Sequence, residues 1–304
     1  MKLVFWGVRG SIPVPGPHTV RYGGNTSCVQ VELGPSEPIL IFDAGTGIRE
    51  LGQALSARTD SLDIHIFITH AHWDHIQGLP FFDPLFKSNC SITFYSLKRR
   101  GHALSDVVNS VIETRYFPLS RADWEARIRF VEFENEESFS VGSGISVSTS
   151  RLNHPWIANA YRVDYQNKSM VYATDTAPFE HVILDWDFIS RAPDVSQPVD
   201  PQIKEQLQVM RHNLISLCKD ADVLIYDTMF TDEQYARNPH WGHSAPSHAL
   251  AVCEESGVRH LVMFHHAPER SDEEMDILVA DAVELASKTN VKISAAQEGH
   301  SILL

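Results

Sequence analysis

The 304-residue sequence predicts an α/β layered fold in a single domain spanning residues 1–304. Three observations carry that reading. Short apolar runs of strand length mix with helical stretches along the chain. A Gly34-Pro35 break between two of these runs marks a hairpin, and no short-period repeat or low-complexity tract interrupts the pattern. Hairpins mixed with strand–helix alternation suit a layered structure better than a purely parallel, doubly wound sheet.

Taken in order, residues 2–8 read as a strand, followed by a Gly/Pro-rich loop over 9–24. Residues 28–33 and 39–42 pair across the Gly34-Pro35 turn. Asp43-Ala44-Gly45-Thr46-Gly47 then turns into a helix over 48–55, and 64–68 is a buried strand. Further strands are expected at 145–152, 161–165, 170–173, 223–226 and 261–264. Helices are expected at 203–218, at 247–255 with Gly257 as the stop, and at 272–287 with Ser271 as N-cap. Residues 194–202 are polar with two prolines and read as an exposed excursion.

Charge narrows the function classes. Lys and Arg number 25 against 39 Asp and Glu, for a net charge of −14. Nucleic-acid binders usually carry a basic field, so a long polyanionic partner is disfavoured. No apolar run approaches the ~20 residues that span a bilayer. The N-terminal MKLVFWGVRG has no secretory pattern. Cys28, Cys90, Cys218 and Cys253 form no CxxC pair and read as reduced, buried thiols, so a cytoplasmic location is expected. The acidic excess is uneven: residues 1–100 hold 9 basic and 8 acidic side chains, and the rest lies further on.

The near-neutral first third holds the densest chemistry, Thr69-His70-Ala71-His72-Trp73-Asp74-His75. Imidazole and carboxylate suit zinc, manganese and iron. His70 and His72, two apart on extended chain, can grip one ion, while Asp74 and His75, adjacent across a turn, can serve a second. More donors are needed for two ions. His154, Asp175 and His265 each follow an apolar strand run, and strand ends along one sheet edge converge.

With His70-x-His72-x-Asp74-His75 followed by His154, Asp175 and His265, the sequence resembles the metallo-β-lactamase superfamily. Within it the resemblance is strongest to the branch of ribonuclease Z and small phosphodiesterases, and it runs from Phe5-Trp6-Gly7 to His265. It implies an αββα sandwich with metals at one edge. It also implies that His70, His72 and His154 hold one divalent ion and that Asp74, His75 and His265 hold the other, with Asp175 bridging. Of the neighbours His265 and His266, the first matches the family position. Phe42-Asp43-Ala44-Gly45-Thr46-Gly47 resembles the family's early motif, whose Asp orients a ligand histidine by hydrogen bonding, although Asp43 also suits a helix cap. Gly242-His243-Ser244 resembles the histidine that such phosphodiesterases place beside the scissile phosphate. Asp74 and His243 are therefore the expected catalytic residues.

The implied reaction is two-metal hydrolysis, with zinc the first expectation and manganese or iron the alternatives. No insertion resembling the ribonuclease Z arm is present, and the isolated cysteines cannot form the zinc motif of the carbon–phosphorus-pathway phosphodiesterases. The expected substrate is a small phosphodiester such as a cyclic nucleotide or cyclic phosphate, with no membrane partner, and a homodimer is a family expectation. Two rivals stand beside it: hydrolysis of a lactone or thioester on the same metals, and a metal-binding sensor without turnover. Arg9 and Asn25 either line the entrance or hold a structural loop. Lys98-Arg99-Arg100, the only basic run, reads as a solvated helix start rather than a phosphate clamp.

Overall fold

A computed structural model describes residues 1–99, 101–134, 136–184, 194 and 196–304. It divides into two compact units: residues 1–135 with 297–304, and residues 136–296.

The first unit contains β1 (Lys2–Gly7), β2 (Cys28–Glu32), β3 (Ile39–Phe42), β4 (Leu62–Phe67), β5 (Cys90–Leu97) and β6 (Arg127–Phe133). They form a sheet in sequence order, with the C-terminal strand Ser301–Leu303 beside β1. The pairs β1–β2 and β2–β3 are antiparallel, the second being the hairpin expected across Gly34-Pro35. From β3 to β6 the pairing is parallel, which requires crossover connections. Helix α1 (Ile48–Ser56) supplies the first of them. It buries Ile48, Leu51 and Leu55, the i, i+3, i+7 stripe of an amphipathic helix, within one cluster with Ile64, Ile66 and Phe82. The single-turn α2 (Trp73–Ile76) follows β4, and α3 (Leu104–Ser110) follows β5.

The second unit repeats the plan. Strands β7 (Ser138–Ser140), β8 (Ser146–Arg151), β9 (Asn159–Tyr165) and β10 (Lys168–Ala173) pair antiparallel. Then β11 (Val223–Asp227), β12 (His260–Phe264) and β13 (Lys292–Ala295) continue the sheet in parallel. Three helices make the crossovers: α4 (Pro201–Cys218) before β11, α6 (Pro246–Ser256) before β12 and α7 (Asp272–Leu285) before β13, with the short α5 (Asp232–Arg237) ahead of α6. Leu207, Met210, Leu214 and Leu217 on α4 fall at spacings of three and four and share a core with Leu224, Tyr226 and Leu261. Burying each such side chain stabilises the unit by about 1.5–3 kcal/mol.

The expected elements recur with ends displaced by one or two residues. Gly257 adopts the left-handed conformation that stops α6, and the Ser271 side chain accepts from the Glu274 amide as an N-cap. All four cysteines are buried and free. The expected excursion at 194–202 lies partly outside the described residues, and its last two residues already belong to α4. Among the described residues, no helix is long and apolar enough to cross a membrane.

Candidate functional site

In the first unit, β4 runs out at Phe67 and the buried His70 follows within three residues. His70 Nε2 and His72 Nδ1 come within 2.8 Å of each other, as two nitrogens turned on one point. Asp74 and His75 sit on α2, with Asp74 Oδ2 3.2 Å from His75 Nε2. Behind them, Asp43 takes the His75 Nδ1–H at 2.7 Å, and also accepts from the Thr69 amide and hydroxyl. The Thr69 hydroxyl oxygen lies 3.1 Å from His70 Nδ1, so one carboxylate orients two imidazoles, one of them through Thr69. The Ser11 amide donates to Asp74 Oδ2 at 2.7 Å. The Asp43 turn lies close against α2: the Ala44 amide donates to the His75 carbonyl at 2.7 Å, and a Cβ on Gly45 would meet the Asp74 carbonyl at 2.3 Å. Only glycine fits there.

The second unit assembles its donors from several strand ends. His154 follows β8, Asp175 follows β10 and His265 follows β12. Asp175 Oδ1 stands 3.2 Å from His265 Nδ1, and Asp175 Oδ2 stands 3.7 Å from His154 Nε2. His154 donates from Nδ1 to the Gly242 carbonyl at 2.9 Å. His243 gathers here too: a donor atom of His154, one of Asp175 and one of His243 all lie within 4.8 Å of one another. The His243 ring also stacks on that of His265 at 5.1 Å. Asp227, the last residue of β11, accepts from His243 Nδ1 at 2.8 Å and from the Met229 amide at 3.0 Å. His266 turns elsewhere, 2.9 Å from the Ala296 carbonyl, so His265 is the neighbour that joins Asp175.

Backbone conformation explains how strand ends deliver these side chains. Asp43, Asp175 and His265 have φ of 60°, 59° and 60°. The left-handed region is uncommon for residues with a side chain, although Asp, Asn and His enter it most readily after glycine. Each of the three bends the chain sharply at the end of β3, β10 or β12, and non-glycine residues in such backbone cluster at functional sites.

The donor chemistry fits divalent cations. His75 and His154 both commit Nδ1–H to an oxygen, so in the neutral ring each presents a lone pair at Nε2. In both cases that lone pair faces a carboxylate oxygen, of Asp74 in the first unit and of Asp175 in the second. Two acceptors so placed repel unless positive charge stands with them. Protonating every ring would bury several like charges together, whereas a cation satisfies lone pairs and carboxylates at once.

Three contributors escape a reading of the sequence: Asp227, Thr69 and the Ser11 amide. Asp227 carried a usable signal, since it ends an apolar run as Asp175 and His265 follow theirs. Nothing in the sequence marks Thr69 or Ser11, whose roles come from hydrogen bonds only. Arg9 and Asn25 hold the loop together. Arg9 is fully buried with Nε donating to the Gly23 carbonyl at 2.7 Å, and Asn25 donates its amide and side chain to Glu298. The basic run is not a solvated helix start. Arg99 is buried and donates to Ser96 Oγ and to the Thr69 carbonyl, Lys98 pairs with Glu134 on the surface, and Arg100 lies outside the described residues.

Comparison with known proteins agrees with this architecture. Residues 39–188 match the family model described as a beta-lactamase superfamily domain. That stretch is similar to the metallo-β-lactamase superfamily, in line with the resemblance read from the sequence. Among curated relatives, ribonuclease Z of Thermoplasma volcanium is 24% identical over 299 residues, covering 93% of this chain and 91% of the relative. Ribonuclease Z of Ligilactobacillus salivarius is 27% identical, covering 88% and 89%. Among solved structures, the metallo-β-lactamase fold protein YhfI from Bacillus subtilis superposes with a TM-score of 0.64 at 16% identity, covering 99% of this chain and 98% of that one. A diphosphatase from the PhnP family gives 0.62 at 19% identity, covering 100% and 97%. These likenesses in structure bear on the fold alone.

Proposed function

We propose that residues 1–304 act as one binuclear metal-dependent phosphodiesterase domain, with a small phosphodiester such as a cyclic nucleotide or cyclic phosphate as substrate. His70, His72 and His154 hold one divalent ion. Asp74, His75 and His265 hold the second, and Asp175 bridges. Zinc is the expected metal, with manganese or iron as alternatives for this donor set. When bound, such ions would make a water more acidic and offset negative charge on a phosphoryl group, while the residues named here would hold them.

The observation that carries the proposal is the repeated pairing of an oriented imidazole lone pair with a buried carboxylate, once in each unit. Asp43 holds His75, directly, and His70, through Thr69, in the tautomer that leaves Nε2 as donor to a metal. Asp74, fixed by the Ser11 amide, takes the proton from the nucleophile. His243, oriented by Asp227, protonates the leaving oxygen or stabilises charge on the phosphoryl group.

A second reading, RNA cleavage, is favoured by the relatives named ribonuclease Z. The net charge of −14 weighs against a long polyanion. The test is hydrolysis of bis-(p-nitrophenyl) phosphate, cyclic nucleotides, a structured RNA, a lactone and a thioester by zinc- or manganese-loaded protein, before and after chelation. The proposal expects turnover of the small diesters that chelation abolishes and added metal restores. Absence of diester turnover with two metals bound would contradict it, and preference for the lactone or thioester would move the activity to that rival.

A further inference from the structure

The tryptophans among the described residues fall into two groups. Trp6 and Trp124 pack with the core of the first unit, and Trp124 is only 7% exposed. Trp73, Trp156 and Trp241 are 68%, 38% and 48% exposed. Each exposed one adjoins a proposed site residue in the chain: Trp73 lies between His72 and Asp74, Trp156 lies two residues after His154, and Trp241 lies two residues before His243. An indole left in water forfeits the gain of burial, and among the described tryptophans the three most exposed all adjoin proposed site residues in the chain.

Trp241 is held through its neighbours in chain and space, Gly242 and Phe230. Gly242, at φ 87°, turns its carbonyl onto His154 Nδ1, and a Cβ there would meet that nitrogen at 2.3 Å. The tripeptide Trp241-Gly242-His243 is therefore pinned at its centre by one site histidine and ends on another. The Phe230 ring packs against both the Trp241 indole, at 6.4 Å, and the His243 imidazole, at 5.7 Å. Phe230 is itself buried, so it backs one side of the indole while nearly half the Trp241 surface stays open. A rigid, half-open aromatic face beside an acid–base histidine suits a planar aromatic group.

We propose that Trp241 is a stacking wall for a nucleobase carried by the substrate, so that the phosphodiester cleaved is a base-bearing nucleotide rather than an aliphatic cyclic phosphate. Trp73 and Trp156 offer further faces beside their own site residues. This rests on the phosphodiesterase reading given above and narrows its substrate class. Stacking on aromatic side chains tolerates any base and contributes through the π-face rather than through hydrogen bonds.

The test pairs turnover with binding. With zinc-loaded protein, kcat/KM is measured for adenosine 2′,3′-cyclic phosphate and for ethylene glycol cyclic phosphate, which has no base. In Trp241→Ala the ratio of the first to the second should fall about tenfold, through KM rather than kcat, as expected for the loss of one stacked base. Trp241→Phe should keep most of the ratio. His243→Ala should lower turnover of both substrates and leave their ratio in place. Equilibrium binding of adenosine monophosphate and ribose 5-phosphate, to protein with and without metal, gives a readout independent of turnover. Wild type should prefer the base-bearing ligand about tenfold, and Trp241→Ala should erase the preference. Equal binding of the two ligands by wild type, or a preference unchanged in Trp241→Ala, would overturn the proposal. If neither cyclic diester is hydrolysed, the phosphodiesterase reading fails while the binding ratio still decides the stacking.

Discussion

The first unit crowds His70, His72, Asp74 and His75 into one six-residue segment after a single strand, whereas the second draws His154, Asp175 and His265 from the ends of three strands. Local hydrogen bonds set the first arrangement: Thr69, Asp43 and the Ser11 amide each hold a donor in place. Sheet register sets the second, because β8, β10 and β12 must end at matching heights for their following residues to meet at Asp175. Both units back an imidazole with a buried aspartate, Asp43 behind His75 and Asp227 behind His243. The two aspartates are nevertheless expected to serve different ends, one metal affinity and the other proton transfer.

The largest effect tests the catalytic half of that contrast. His243→Ala should lower kcat on a phosphodiester by about 10²–10⁴-fold, the usual contribution of a positioned acid or base, while metal content stays at the wild-type value. Loss of metal in this variant would make His243 a ligand, in line with its closeness to His154 and Asp175.

A paired substitution sharpens the contrast further. Asp43→Asn should weaken metal affinity about 10–100-fold, since it removes the acceptor that fixes the tautomer of His75. Asp227→Asn should leave affinity near wild type, lower kcat and move the pH–rate profile. Competition with a chelator and pH-dependent kinetics separate the two. Equal losses of affinity in both variants would erase the proposed division of labour.

How much was legible in the sequence follows the same divide. The loop at 70–75 announces itself because its donors are neighbours in the chain. Asp175 and His265 are visible only through a repeated pattern, a polar donor just after an apolar run. Asp227 shows that pattern too, but as the final residue of β11 it reads as the strand's edge rather than as a site residue. Arg99 was misread because a basic run normally stays in water. Here the guanidinium is buried against Ser96 and the Thr69 carbonyl, a long-range contact that local sequence does not encode. Strands such as β6 and β13 depend on pairing with neighbours for their definition, and their own residues are only half-buried or exposed along much of their length.

The smallest effect is a control within the second unit, away from these donors. Ser271→Ala removes the cap of α7 and should cost about 1 kcal/mol in denaturant unfolding with turnover unchanged. A matching drop in activity would tie the crossover helices to the alignment of strand ends more tightly than the hydrogen bonds indicate.

The proposed metal ligands are tested most directly by elemental analysis of purified protein. Two divalent ions per chain are expected in the wild type, with a lower stoichiometry in His72→Ala. A His72→Ala protein that retains the wild-type stoichiometry would contradict that assignment.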